Sequence, residues 1–123
     1  MKIIGTGSAL PKKVVTNDML SEFLDTSDEW IIPRTGIRSR HVISDENIED
    51  LGAQACSNAM DMAGVKAEDI DYLICSNVVN ENVTPGLSCI IAEKLGLTCP
   101  CIDINCACPG FVFAMDIADS HFK

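Results

Sequence analysis

Apolar positions along the chain fall into short unbroken runs and helical stripes, punctuated by glycine and proline. Lys2-Ile3-Ile4 followed by Gly5-Thr6-Gly7-Ser8 reads as a short strand ending in a glycine turn. Asn17 is placed to cap a short helix with Leu20, Phe23 and Leu24 on one face. Thr26-Ser27-Asp28-Glu29 has capping-box spacing, with Thr26 as N-cap, and Pro33 is expected to stop the turn of helix begun by Trp30-Ile31-Ile32. Asn47 opens a longer helix in which Ile48, Leu51, Ala55, Ala59 and Met62 recur at helical spacing until Gly64. Tyr72-Leu73-Ile74-Cys75 is unbroken rather than alternating, the pattern of a strand covered on both faces. Thr84-Pro85 reads as an N-cap and first helical position, with Leu87, Ile90, Ile91 and Leu95 as the buried face and Gly96 as the stop. Cys101-Ile102-Asp103-Ile104 is a further strand. Pro109 opens a last helix whose Phe111, Val112, Ala114, Met115 and Ala118 are apolar nearly all round, which predicts burial.

The order is strand, helices, strand, helix, strand, helix. It predicts an α/β layered fold with a mostly parallel sheet and a buried central helix. No internal repeat or linker interrupts it. A sheet of three strands with an apolar helix at its end reads as an incomplete domain, or as one that dimerises to cover apolar surface. Gly5-Thr6-Gly7 lacks the third glycine of a dinucleotide fingerprint, since Leu10 stands there, so a plain turn is the better reading.

Composition narrows the function. Of the 123 residues, 47% are hydrophobic and 22% charged, which excludes a disordered chain. A formal charge of −9 argues against general binding to nucleic acid or anionic membranes. No apolar run approaches the ~20 residues that cross a bilayer. Met1-Lys2-Ile3-Ile4-Gly5 is too short for a signal-peptide core, so the expected setting is cytoplasmic. Seven cysteines in a reducing compartment are expected to be thiols, most of them small buried apolar residues.

Three features could carry chemistry. Asp103-Ile104-Asn105-Cys106-Ala107-Cys108-Pro109-Gly110 is a strand, a turn and an abrupt helix start. It puts Cys108 at the N-cap and Pro109 at the first helical position. A thiol there faces unpaired amides and the positive end of the helix dipole, both of which favour the nucleophilic thiolate. The competing reading is one more buried cysteine. His121 lies more than three helical turns away, roughly 20 Å, so it cannot be the base for Cys108. The second feature is a basic island, Arg34, Arg38, Arg40 and His41, in a stretch without acids, with the only tryptophan, Trp30, four residues before Arg34. It suits stacking on a base and pairing with phosphates, or else pairing with the chain's own carboxylates around a core Trp30. The third is Cys99, Cys101, Cys106 and Cys108, whose C-x-C…C-x-C spacing departs from the usual C-x₂₋₄-C of structural zinc. No metal is expected there.

Ile3-Ile4-Gly5-Thr6-Gly7-Ser8-x-Leu10-Pro11, Thr26-Ser27-Asp28-Glu29-Trp30-Ile31, Arg34-Thr35-Gly36-Ile37-Arg38-x-Arg40 and Cys108-Pro109-Gly110-Phe111 together resemble 3-oxoacyl-[acyl-carrier-protein] synthase III, collinearly and over essentially the whole chain. The resemblance implies a thiolase-like fold of two similar α/β halves, of which residues 1–123 would be an incomplete N-terminal half with the C-terminal half absent. It implies a homodimer that starts fatty-acid synthesis. An acyl group passes from acyl-CoA to a cysteine and condenses with malonyl-carrier protein, releasing CO₂, with no tightly bound cofactor. Cys108 matches the acyl-accepting nucleophile. Trp30 matches the aromatic that stacks on the adenine of coenzyme A, Arg34 a basic residue at the nucleotide end, and Thr26 a hydrogen-bonding neighbour there.

Three departures accompany the match. The family's histidine, asparagine and completing oxyanion amide belong to the second half, so residues 1–123 are expected not to condense alone. Pro109 replaces a small residue. Thr84 stands where many members have Phe beside the acyl pocket, so acetyl preference does not carry over. The alternatives are a related acyl-CoA condensing enzyme of secondary metabolism, a non-catalytic module holding coenzyme A through Trp30 and Arg34, and a metal-binding cysteine module.

Overall fold

The computed structural model describes residues 1–79 and 82–121. The chain divides into two compact units, one of Leu10–Asn47 and one of Met1–Ala9 with Ile48–Lys123.

In the first of these, β1 (Lys13–Thr16) pairs antiparallel with β2 (Ser39–Val42), Val15 standing opposite Arg40. Two helices lie between them in sequence, α1 (Asn17–Ser21) and α2 (Asp28–Thr35). Neither strand was expected, because four residues with one buried apolar position, Val15, leave no alternation to read. Both helices start one residue away from the expected cap. Thr16, in extended geometry, caps α1 by accepting from the Met19 amide at 3.3 Å, and α1 ends at Ser21, short of Phe23 and Leu24. Ser27, not Thr26, caps α2 by accepting from the Trp30 amide at 3.2 Å. Pro33 does not stop α2. It removes one hydrogen bond to the Glu29 carbonyl from a helix held at both ends, and the stop is Gly36, at φ 72°, whose amide donates to Ile32 O.

Glu46 closes this unit near its end. Its carboxylate accepts from the Lys12 amide at 2.8 Å and the Ser44 amide at 3.2 Å, and these bonds hold its pKa down to about 2, from an ordinary 4.5. A depressed carboxyl adds stability above its unfolded pKa and loses it as pH falls through the folded value. Stability that Glu46 supplies is therefore expected to fade between pH 4.5 and about 2. Glu46→Gln should flatten the acid limb of a urea-unfolding series over that window.

In the second unit, α3 (Ile48–Ala63) ends at Gly64 (φ 68°), and a 3₁₀ turn at Ala67–Asp69 leads to β3 (Leu73–Ser76). A crossover through α4 (Leu87–Leu95) brings β4 (Cys101–Ile104) parallel to β3, with Leu73 opposite Cys101 and Cys75 opposite Asp103. The chain then enters α5 (Gly110–His121). The core lies on α4, at Leu87, Ile91 and Ala92. Gly52 of α3 makes room for Ile91, whose Cδ1 occupies the space a Cβ would need.

Three expectations are corrected here. Residues 2–4 join no sheet, so the parallel sheet has two strands among the described residues. Gly5 and Gly7 instead lie against the backbone of α3 at Ala55 and Ala59, where a side chain would collide with main-chain atoms. Helix α4 starts at Leu87 with Gly86 as N-cap, and the Thr84–Pro85 peptide, which is cis, precedes it. Helix α5 is not enclosed. It packs on β3 yet leaves Phe111 70% and Val112 67% exposed, and Phe113 is exposed too. Nearly all-round apolarity marks a helix to be covered on several sides, and the described residues cover one.

Candidate functional site

The turn between β4 and α5 is built from backbone geometry. Ala107 has φ 48°, a left-handed conformation that costs a residue with a Cβ about 1 kcal/mol. The Gly110 amide donates to Ala107 O at 3.0 Å, which makes Cys108 and Pro109 the middle of a tight turn. The Phe113 amide then donates to Pro109 O at 3.1 Å and starts α5. Pro109 is thus the N-cap rather than the first helical residue, and Cys108 lies one position further out than the sequence predicts. The left-handed bend at Ala107 uses the residues that would have begun the helix. Gly110 is buried against Ser76, whose Oγ sits where a Cβ would be. The end of β3 therefore braces the turn that displays Cys108.

All seven cysteines are free thiols. Burial pushes the Cys56, Cys75 and Cys101 thiols up, aided at Cys75 by neighbouring Asp103 and at Cys101 by the adjacent Cys89 and Cys99. Those three are disfavoured as nucleophiles. Cys89, Cys106 and Cys108 are exposed; Cys108 sits within the entry turn of α5, whereas Cys89 lies in the first turn of α4 and Cys106 before the bend at Ala107. Cys108 is thus exposed, not buried, among the described residues. Among the described residues no three His, Cys, Asp or Glu side chains gather as metal ligands.

Asp103 fixes the frame of this turn, and sequence reasoning passed over it as a strand residue. Its carboxylate accepts from the Ser88 amide at 3.2 Å, the Ser88 hydroxyl at 2.7 Å and the Asn77 side-chain amide at 3.0 Å. It thereby joins the start of α4 and the end of β3 to β4. The only local signal was an acid within an apolar strand, which needs partners when covered.

In the unit of Leu10–Asn47, α2 presents the basic and aromatic pair. Trp30 is 54% exposed, and the Arg34 guanidinium lies over its ring, 4.4 Å from the centroid, while Arg34 Nη1 donates to Trp30 O at 2.9 Å. Such a stack contributes about 0.5–1 kcal/mol at an exposed site. The alternative of a core Trp30 is not met within this unit. Arg34 is exposed and forms no ion pair among the described residues. Because Ser27 does the capping, the half-buried Thr26 hydroxyl is not spent on α2. The rest of the island separates by role. Arg40 is consumed internally, donating to Asn17 Oδ1 and Val15 O, and His41 Nδ1 bonds Pro11 O at 2.6 Å. His121 stacks on Tyr72 with ring centroids 4.5 Å apart, at the far end of α5 from Cys108.

The chain matches the thiolase N-terminal domain over residues 32–120. Over its whole length it is 44% identical to the beta-ketoacyl-[acyl-carrier-protein] synthase III of Clostridium acetobutylicum, of which it covers 38%. The 3-oxoacyl-[acyl-carrier-protein] synthase III of Aquifex aeolicus superposes with a TM-score of 0.96 at 40% identity, over 98% of this chain and 40% of that one. The priming β-ketosynthase of a polyketide biosynthetic pathway superposes at 0.91 and 39% identity, over 95% and 36%. The chain spans about two fifths of the length of these relatives.

Proposed function

Since the chain belongs to the thiolase family through its N-terminal domain, we propose that residues 1–123 are the acyl-accepting half of a condensing enzyme of the 3-oxoacyl-[acyl-carrier-protein] synthase III type. The observation that carries the reading is Cys108, exposed in a braced turn at the entrance of α5. The Cys108 thiolate attacks the thioester carbonyl of an acyl-CoA. The tetrahedral intermediate collapses with cleavage of the carbon–sulfur bond to coenzyme A, leaving an acyl-cysteine and free coenzyme A. First-turn amides of α5 have no intrahelical partner and face the charge that develops at this end of the helix. Trp30 stacks on the adenine, Arg34 pairs with phosphate, and Thr26 supplies a hydrogen bond beside them.

The second half-reaction joins the acyl group to malonyl-carrier protein with loss of CO₂. It calls on the histidine and asparagine that the resemblance places in the second half-domain. The reading carries with it a homodimer and a cytoplasmic setting, which suits seven free thiols. Among the described residues no helix is long and apolar enough to cross a membrane.

The test is intact-mass measurement after mixing with acyl-CoA thioesters of two to eight carbons, with peptide mapping of the adduct. The expected outcome is one acyl group per chain, on Cys108. With Thr84 at the primer segment, chains longer than acetyl should be accepted at comparable rates, and a strict acetyl preference would count against that part of the reading. A priming β-ketosynthase of secondary metabolism shares the first half-reaction, and the likeness to one such structure supports it as the second reading. A non-catalytic coenzyme A module would bind the ligand and leave every cysteine unmodified.

A further inference from the structure

We propose that Asn17 is a positioning residue for the Trp30–Arg34 platform, clamping α2 at both ends through one buried amide. Asn17 is 1% exposed. Its Nδ2 donates to Asp28 Oδ1 at 2.8 Å and to Ile37 O at 2.8 Å. Asp28 is the first residue of α2, and Ile37 follows the Gly36 that ends it. Trp30 and Arg34 lie between the two anchors. The amide's oxygen accepts from Arg40 Nη2 at 2.6 Å, while Arg40 Nη1 donates to Val15 O at 3.2 Å, so the clamp is tied to both β1 and β2. Main-chain bonds hold Asn17 itself, its N–H to Arg38 O and its carbonyl to the Ser21 hydroxyl.

No other side chain of this length offers two donors and an acceptor on one rigid plane. Aspartate keeps the acceptor and loses both donors, and serine is too short to reach both ends. A helix released at either end would shift an indole and a guanidinium that must meet a base and a phosphate together, and recognition of that kind is sensitive to displacements of about 1 Å.

The inference rests on the reading that Trp30 and Arg34 receive the nucleotide end of coenzyme A. Trp30 is the only tryptophan, so its fluorescence reports ligand at that place alone. Coenzyme A is titrated into the unsubstituted chain, Asn17→Asp, Asp28→Asn and the double variant, each shown by urea unfolding to be folded under the conditions used. Asn17→Asp should bind coenzyme A about tenfold more weakly. Asp28→Asn keeps an acceptor and should bind within about threefold of the unsubstituted chain. The double variant restores a donor–acceptor pair at the first anchor and should recover to within about threefold. Folded Asn17→Asp with unchanged affinity, even with a lowered unfolding midpoint, would overturn the positioning role. Should Asn17→Asp not fold, Asp28→Ala carries the test, with weakening of about tenfold expected and affinity within about threefold of the unsubstituted chain overturning the role. Absence of any Trp30 response in the unsubstituted chain would bring down the platform reading and this inference together, whereas the variant results bear on Asn17 alone.

Discussion

Cys108→Ala is expected to abolish acylation by acyl-CoA, lowering the rate of adduct formation by at least about 10³-fold while coenzyme A binding, read from Trp30, stays within about twofold. The asymmetry follows from placement. Cys108 and the Trp30–Arg34 pair belong to different compact units, and the substitution removes one sulfur from an exposed turn whose shape is set by backbone bonds. Cys106→Ala is the control that decides between neighbours, since Cys106 is also exposed but stands before the left-handed bend at Ala107. It should acylate at close to the unsubstituted rate. Acylation that persists in Cys108→Ala, or that vanishes in Cys106→Ala, would remove the central assignment.

The second large effect concerns stability. Asp103→Ala leaves the Ser88 amide, the Ser88 hydroxyl and the Asn77 amide without their acceptor, and Ser88 is 1% exposed. Hydrogen bonds to a charged group contribute about 1.5–3 kcal/mol each and do not add fully, so a loss of about 2–4 kcal/mol is expected. Ser88→Ala, which removes one partner and keeps the amide bond to Asp103, should cost about 1 kcal/mol. Urea unfolding of the three proteins measures both, through the midpoint at constant slope. A change under about 0.5 kcal/mol in Asp103→Ala would mean that the carboxylate is not the anchor of α4.

Part of the fold and the makeup of the candidate site were legible in the sequence. The cysteine followed by Pro-Gly at a strand-to-helix junction announced the turn, and the motifs around Trp30 and Arg34 carried a resemblance that whole-length relatives bear out. The parallel pairing of β3 and β4 followed from the unbroken apolar run at Tyr72–Cys75 and from the strand–helix–strand order. Errors of one residue at the caps of α1 and α2 came from neighbours able to play the same part, and the one at α5 from the left-handed bend at Ala107. Thr26 and Ser27 both carry hydroxyls, and extended backbone at Ser27 decided which one meets the Trp30 amide.

Asn17 and Asp103 illustrate what lay out of reach. By local preference one is a helix cap and the other a polar intruder in a strand. Their partners stand 11 to 26 residues away, and pairing turns the buried Asn17 and the half-buried Asp103 into anchors. The amino-acid sequence by itself determined the helix stops at Gly64 and Gly96, the apolar stripes of α3 and α4, and the thiol beside a helix start, because each depends on neighbours within a turn or two. Only the tertiary structure decided which cysteines are exposed, which arginine is spent internally and which polar side chains hold the frame. Those outcomes depend on desolvation and pairing between segments that meet only when the chain is folded.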